Sequence, residues 1–315
     1  DIMHKKVVLL SLVTAGVLAC SAQKAKTPYW LDPAMNRVGT VAPHSDYFAF
    51  ETVKAAQEGD KTKSSRYLSL EGKWKFSFAK NHNEAPQNFF VKGYDDSSWE
   101  DFPVPGLFEL NGHGDAVYRN VGYAWDTQFE SNPPFVEEKN NYTGSYRKQV
   151  VVPASWKGEK VYLHVGSATS NLSVWVNGKF VGYSEDSKSA AEFDVTPYLT
   201  LGKENLIAMQ VMRWCDGSYF ESQDFWRLTG IAREVYLYAR PQSHISDVFI
   251  TPDLTNNYTD GTLRVQLQGT QCKGKSATLT LLDANDKVVK TQTVPMAVKA
   301  DVEWSISNPL KWTAE

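Results

Sequence analysis

The chain has 315 residues, of which 42% are hydrophobic and 22% charged. This composition is typical of a folded globular protein, so a wholly disordered or fibrous chain is excluded, and the length suggests two domains. Lysine and arginine number 33 against 36 aspartates and glutamates, which gives a formal net charge of −3. Because no long basic run is present, the electrostatic footprint of a nucleic-acid-binding protein is absent.

Residues 1–20 are interpreted as an export signal. Lys5 and Lys6 precede an apolar stretch over residues 7–19, which is too short to cross a bilayer, where ~20 residues are needed. The stretch ends in Val-Leu-Ala before Cys20, a pattern that resembles a bacterial lipobox. We therefore predict lipidation at Cys20 and an exported protein in the periplasm or at the outer membrane, held to the membrane only by its lipid. A plain signal peptide is the alternative.

Residues 21–66 show no sustained period and are predicted to form a tether and an extended N-terminal arm, with one short helix near residues 51–58. From residue 67 onward, aromatic and aliphatic residues alternate with polar ones, which indicates half-buried strands. Asn177-Gly178 separates two such runs and is a strong hairpin signal, because both residues tolerate positive φ. The predicted strands of residues 67–240 are 73–78, 145–152, 161–165, 172–176, 179–181, 205–212 and 233–238.

A second β series follows a joint at residues 240–243. An immunoglobulin-like sandwich takes about 100 residues, and only residues 241–315 remain, so we expect this domain to be incomplete. The fold class is thus all-β: a first sandwich over 67–240 and a truncated immunoglobulin-like sandwich over 241–315. The predicted strands of the second series are 248–251, 263–267, 277–281, 288–291 and 302–306.

The usual catalytic motifs are absent from the sequence, which has no glycine-rich phosphate loop and no nucleophile elbow. The six histidines show no metal-ligand spacing, and Cys215 and Cys272 form neither a metal motif nor a disulfide framework. Acidic clusters such as Glu185-Asp186 are expected to be solvated loops. Asp224 is the exception, since it lies among large aromatic residues and would need a cation, a metal ion, a ligand or Arg227 as its partner.

Several segments, taken in order, resemble the N-terminal part of the large bacterial β-galactosidases of glycoside hydrolase family 2. The likeness extends from about residue 28 to 315, and the motifs are specific as a set although each is weak alone. The matching segments are residues 69–76, 95–99, 104–106, 118–121, 132–136 (Asn-Pro-Pro-Phe-Val), 175–183, 192–195, 213–219 (Arg-Trp-Cys-Asp-Gly-Ser-Tyr), 223–227 (Gln-Asp-Phe-Trp-Arg) and 230–231.

The resemblance implies a jelly-roll sugar-binding-type domain, an immunoglobulin-like domain and a downstream TIM barrel that carries two glutamates for retaining hydrolysis. The barrel is absent from this sequence, so no catalytic residue is assigned and the chain alone is predicted to be inactive. Asn83-Glu84 is similar to the family's acid/base pair, but it lies in a polar loop and is rejected.

Two residues match family positions that contact galactose. Asn120 matches an asparagine that hydrogen-bonds the sugar, and Asp224 matches an aspartate that binds both galactose and a sodium ion. The resemblance implies sodium and magnesium as cofactors of the parent enzyme. Asp216 matches a ligand of a peripheral magnesium site, but Glu185 stands where the family has glutamine, so that site is not predicted.

The sequence is compatible with three functions. The first is the non-catalytic segment of an exported β-galactosidase, with a β-galactoside substrate, the downstream catalytic domain and further copies of the chain as partners. The second is a β-glucuronidase or β-mannosidase relative. The third is a freestanding carbohydrate-binding lipoprotein, which an exposed aromatic sheet face would favour.

Overall fold

The computed structural model describes residues 27–312 and residue 314 of the chain. The predicted export signal and Cys20 lie outside these residues. Within the described residues, no helix is both long enough and apolar enough to cross a membrane. Strands dominate the structure, as the alternating sequence pattern predicts.

The elements follow one another in a long series of short strands. The helix α1 covers Val53–Glu58, and 3₁₀ helices cover Tyr29–Leu31, Lys61–Lys63, His82–Glu84, Glu109–Asn111, Ala124–Thr127, Ala154–Trp156, Thr196–Tyr198 and Asp216–Tyr219. The strands are β1 (Arg37–Val38), β2 (Tyr67–Ser69), β3 (Gly72–Ala79), β4 (Glu100–Val104), β5 (Gly106–Leu107), β6 (Val117–Arg119), β7 (Thr143–Val151), β8 (Lys160–Val165), β9 (Ala168–Thr169), β10 (Leu172–Val176), β11 (Lys179–Ser184), β12 (Ala191–Asp194), β13 (Glu204–Met212), β14 (Phe225–Arg227), β15 (Gly230–Ile231), β16 (Val235–Arg240), β17 (His244–Thr255), β18 (Asp260–Thr270), β19 (Lys275–Leu282), β20 (Val288–Met296) and β21 (Lys299–Ile306).

The first unit is a two-sheet sandwich. A seven-stranded sheet has the order β1-β11-β10-β13-β7-β3-β4, and a four-stranded sheet has the order β12-β8-β16-β2. Buried residues of both sheets form one continuous core, to which β3 contributes Trp74 and Phe76, β7 contributes Tyr146 and β8 contributes Leu163. The period-two pattern therefore predicts the inward-facing residues of this unit correctly.

The predicted hairpin at Asn177-Gly178 joins β10 to β11. The φ angles of these residues are +51° and +84°. Positive φ at both central residues is the geometry of a two-residue type I′ turn, which matches the right-handed twist of the flanking strands. Local sequence chemistry alone therefore determined this connection.

The N-terminal arm packs across both sheets. Strand β1 extends the seven-stranded sheet, where Val38 pairs with Tyr183 of β11. Farther along, Val41 and Phe48 cover tyrosines on the outer face of the four-stranded sheet, among them Tyr238. This face is therefore an internal surface beneath the arm, and its tyrosines are not available as an exposed binding platform.

The second unit contains the five predicted strands, each longer than expected. Strands β17, β18 and β21 form one sheet, and β19 and β20 form a two-stranded ladder. Two small apolar clusters lie between them, one around Val265 and Leu267 and the other around Val302 and Trp304. Strand β17 begins at His244, shortly after β16 ends at Arg240, so the connection between the two units is short.

Candidate functional site

Asn120 and Asp224 lie at the same end of a short antiparallel ladder. Strands β6 and β14 pair so that Arg119 faces Phe225. One step beyond this pair, antiparallel register makes Asn120 and Asp224 the next opposing positions. The fold thus brings together two predicted site residues that are far apart in the sequence.

A buried arginine supports the ladder from below. The guanidinium of Arg227, the last residue of β14, donates to the Arg213 carbonyl at 2.6 Å and to the Ser218 hydroxyl at 3.0 Å. It also lies 3.6 Å from a carboxylate oxygen of Glu221. On the other strand, Val117 packs into an apolar cluster with Trp214. These contacts fix the backbone that carries Asn120 and Asp224.

Asp224 is exposed rather than partly buried, and this differs from the sequence-based expectation. Arg227 is not its partner, because that guanidinium is occupied by the contacts described above. Among the described residues, neither Asp224 nor Asn120 has a side-chain hydrogen bond or ion pair. Asp224 has φ +48°, a conformation that aspartate and asparagine tolerate better than most residues. Both polar side chains are therefore available to groups outside the described residues.

The ladder itself carries exposed aromatic side chains, and a further one lies in the segment before β14. Tyr118 and Trp226 are each 51% exposed, and their ring centroids lie 5.1 Å apart. Phe225 is also 51% exposed and Phe220 is 84% exposed. Large apolar side chains clustered at a surface mark a binding or domain-contact site. Most other large aromatic residues of the first unit lie in its core.

A second group of polar residues is buried close by. Ligand atoms of Glu185, Cys215 and Asp216 lie within 4.8 Å of one another. The Tyr183 hydroxyl donates to Glu185 Oε2 at 2.7 Å. Burial raises the pKa of Glu185 to about 8, and the neighbouring Asp216 carboxyl adds to the increase. The expectation that Glu185 belongs to a solvated loop is therefore wrong, because only the tertiary structure shows that residues 183–185 turn inward.

The chemistry of this group fits a hard divalent cation. Asp216 Oδ2 is buried without a hydrogen-bond partner among the described residues. Two carboxylates in a buried position repel each other, and a cation would offset that repulsion. Burial raises the pKa of Cys215 to about 12, so its sulfur stays a thiol and the carboxylate oxygens are the effective ligands. The replacement of glutamine by Glu185 is thus compatible with a magnesium site.

Comparisons with known proteins identify the family to which the chain is similar. Residues 67–241 match the family described as glycosyl hydrolases family 2, sugar binding domain. A β-galactosidase of Priestia megaterium is 37% identical over 300 residues, which cover 91% of this chain and 29% of that protein. A β-galactosidase of Halalkalibacterium halodurans is 37% identical over 290 residues, which cover 91% of this chain and 28% of that protein. The chain therefore spans slightly more than a quarter of the length of these relatives.

Solved structures agree with the fold. A β-glycosidase from Bacteroides vulgatus superposes with a TM-score of 0.60 at 25% identity, over 79% of this chain and 30% of that one. A calcium-binding mutant of Bacteroides uniformis β-glucuronidase 2 superposes with a TM-score of 0.59 at 22% identity, over 79% of this chain and 29% of that one. The second likeness supports the fold alone. From the family match, the identity to curated relatives and the shared fold, we conclude that this chain belongs to glycosyl hydrolase family 2.

Proposed function

We propose that the complete polypeptide is a β-galactosidase that hydrolyses terminal β-galactosides with retention. In this proposal the chain is a non-catalytic segment whose Asn120 and Asp224 form part of the galactose site. The observation that carries it is the 37% identity to a β-galactosidase over 91% of the chain. The common position of the two residues at an exposed ladder end supports it independently of the comparison.

Each residue has a defined role in the proposal. The Asn120 amide offers two N–H donors and an oxygen acceptor, which suits a pair of adjacent sugar hydroxyls. The Asp224 carboxylate accepts from a further hydroxyl and offers an oxygen ligand to a sodium ion. Among the described residues Asp224 belongs to no group of three metal-ligating side chains. The other sodium ligands would therefore come from the downstream catalytic domain, which would also carry the two glutamates.

The exposed aromatic patch fits the same arrangement. Tyr118, Phe225 and Trp226 are exposed residues of the ladder that ends at Asn120 and Asp224, and Phe220 is exposed in the segment before it. In the proposal, the downstream domain covers part of this patch and encloses the galactose. Glu185 and Asp216 would bind a magnesium ion close to the ladder, and the charge of that ion would neutralise the two carboxylates. We also propose that the complete polypeptide forms a homo-oligomer.

Two alternatives remain. The first is a β-glucuronidase or β-mannosidase specificity within the same family. A freestanding carbohydrate-binding lipoprotein would use the aromatic patch directly for sugar stacking. A substrate test on the complete polypeptide and on this chain separates the three functions.

The test compares hydrolysis of p-nitrophenyl β-galactoside, β-glucuronide and β-mannoside. We expect the complete polypeptide to prefer the galactoside and the 315-residue chain alone to show no turnover. Preference for either of the other substrates would overturn the β-galactosidase assignment. Turnover by the chain alone would place the catalytic carboxylates within it and contradict the role proposed for the downstream domain.

Export and lipid anchoring are a separate proposal that rests on the lipobox-like segment before Cys20. Mass spectrometry of the protein isolated from membranes of its native host is the direct measurement. We expect the mature chain to begin at Cys20 with the added mass of a lipid group. An unmodified Cys20, or a mature protein that still contains residues 1–19, would overturn the proposal.

A further inference from the structure

The two units are connected by a short joint, and their sheets do not pair. Among the described residues, no strand of the first unit is hydrogen-bonded to a strand of the second. Residues 241–243 connect β16 to β17. Beside them, the Gln242 amide donates to the Gly158 carbonyl at 3.0 Å, and the rings of Tyr162 and His244 meet edge to face at 6.3 Å. Domains with so small an interface are expected to move relative to each other unless something else holds them.

The N-terminal arm crosses this joint and bonds to the second unit. The Tyr47 hydroxyl donates to the Ile245 carbonyl of β17 at 2.6 Å, and the Ser45 N–H donates to Asp247 Oδ1 at 2.9 Å. Strand β17 lies at an edge of its sheet, and its register shifts between Ile245 and Asp247. The arm therefore supplies donors to an irregular edge strand, across separations of 198 and 202 residues.

The same stretch of the arm is anchored to the first unit. The His44 ring lies 2.8 Å from Glu192 Oε2 of β12. Phe48 packs on the outer face of the four-stranded sheet, where its ring centroid lies 6.5 Å from that of Tyr238. Residues 45–47 therefore lie between two anchors on the first unit, and their donors reach the second unit from a fixed position.

Arg240, the last residue of β16, contacts all three parts. Its buried guanidinium donates from Nη1 to the Tyr47 hydroxyl oxygen at 3.2 Å and to the Ile245 carbonyl at 3.4 Å. It also lies 4.9 Å from the ring centroid of Tyr47 and 5.1 Å from that of Tyr238. Burial raises the pKa of Tyr47, so its hydroxyl stays protonated at neutral pH and can donate to Ile245. The joint, the arm and β17 thus share one hydrogen-bonded group.

We propose that residues 44–48 act as a strap that fixes the angle between the two units, with Tyr47 as the positioning residue through which the strap acts. Its effect on catalysis rests on the function proposed above. Asn120 and Asp224 belong to the first unit, whereas the downstream catalytic domain follows the second unit in the chain. A change in the angle between the units would shift that domain relative to the galactose-binding side chains, and catalysis requires the reacting groups to be aligned.

The test measures the distance between spin labels on the two units of the 315-residue chain by double electron–electron resonance. The labels are attached at Lys203→Cys in the first unit and Lys290→Cys in the second, both at exposed positions. The chain also carries Cys20→Ser, and Cys215 and Cys272 are buried, so the introduced thiols are the ones that react. We expect one narrow distance distribution.

Tyr47→Phe removes one hydroxyl and keeps the ring, so it should broaden the distance distribution. Tyr219→Phe is the matched control, because the Tyr219 hydroxyl also donates to a backbone carbonyl at 2.6 Å, that of Phe135, but within the first unit. Asp247→Ala, which removes the acceptor of the Ser45 N–H, is a second strap variant and should broaden the distribution as well. A distribution in Tyr47→Phe as narrow as in the wild type would overturn the proposal, and so would equal broadening in the control.

The effect on catalysis is tested on the complete polypeptide. Tyr47→Phe should lower kcat for p-nitrophenyl β-galactoside by up to about 100-fold, the cost of a misplacement of about 1 Å. Tyr258→Phe, at an exposed hairpin tip of the second unit, is the control and should leave kcat unchanged. An unchanged kcat in Tyr47→Phe would overturn the positioning role. A wild-type polypeptide without activity on the galactoside would instead contradict the function proposed above, and the distance measurement would still decide the strap.

Discussion

His44 Nε2 lies 2.8 Å from Glu192 Oε2, and this hydrogen bond connects residues 148 positions apart. It joins the N-terminal arm to strand β12 of the four-stranded sheet. The His44 side chain is 15% exposed and that of Glu192 is 12% exposed, so water screens the pair only in part. The arm is therefore held by a charge-assisted contact in addition to the packing of Val41 and Phe48 against the tyrosines.

The stability contributed by His44 should depend on pH. Because the folded pKa of His44 is raised above its usual value near 6.5, its contribution is fully present below that value and is lost as pH rises through the folded pKa. We expect His44→Gln to destabilise the chain by about 1.5–3 kcal/mol at about pH 6, the usual range for a hydrogen bond to a charged group. Thermal unfolding as a function of pH should show this difference shrinking toward alkaline pH. A difference independent of pH would contradict a raised pKa of His44 in the folded chain.

The edge where the arm joins the seven-stranded sheet requires a glycine. A Cβ on Gly182 would lie 2.3 Å from the Val38 carbonyl oxygen and 2.7 Å from the Phe193 ring. Gly182→Ala should therefore destabilise the chain by about 1–3 kcal/mol, the usual cost of overpacking. Gly93→Ala is the control, since a Cβ there meets nothing within 4 Å. Urea unfolding of both variants is the measurement, and equal stabilities would refute the steric argument.

The buried carboxylates Glu185 and Asp216 should make the stability of the chain depend on magnesium. A ligand that binds only the folded state at 100 times its Kd stabilises that state by about 2.7 kcal/mol. We expect magnesium to raise the unfolding temperature of the chelator-treated wild type and to have a smaller effect on Glu185→Gln. Without metal and at neutral pH, Glu185 must take up a proton on folding because its folded pKa is raised to about 8. Glutamine needs no proton, so the variant should be the more stable of the two. Differential scanning calorimetry with and without magnesium distinguishes these outcomes.

The ladder-end residues should affect activity and not folding. In the complete polypeptide, Asn120→Ala and Asp224→Asn should each lower kcat/KM on a β-galactoside by about 10- to 100-fold, which corresponds to a lost hydrogen bond of 1.5–3 kcal/mol. Asparagine at position 224 retains the tolerance for positive φ, so its unfolding temperature should match the wild type. Asp253→Asn, at another exposed carboxylate, serves as the control. Unchanged kinetics in both site variants would remove them from the galactose site.

Strand positions were most predictable where a strand of the first unit buries only one face, since that requirement imposes period two on its residues. The burial pattern of β10, from Leu172 to Val176, alternates strictly as the sequence indicates. The second unit was predicted less completely: β17 spans His244–Thr255, whereas alternation suggested only residues 248–251. Residues 249–255 of β17 are exposed, and exposed positions impose no hydrophobic period.

The candidate site was likewise predicted from the sequence only in part. Asn120 and Asp224 were identified through family motifs, since their residue types in isolation indicate nothing specific. The acidic residue Glu185 was expected in solvent because adjacent acidic residues in a sequence usually are. The structure places it beside Asp216 and Tyr183 in a buried position. Nothing in the local sequence near residue 185 encodes that neighbourhood.

The sequence by itself determined the all-β class, the Asn177-Gly178 turn and the family, because strand period, turn chemistry and motif order are local or linear properties. The tertiary structure decided which distant residues meet. The register of β6 and β14 sets Asn120 opposite Asp224, and the path of the arm brings His44 into contact with Glu192. Both arrangements depend on register and packing over more than 100 residues, which local alternation and turn residues do not specify.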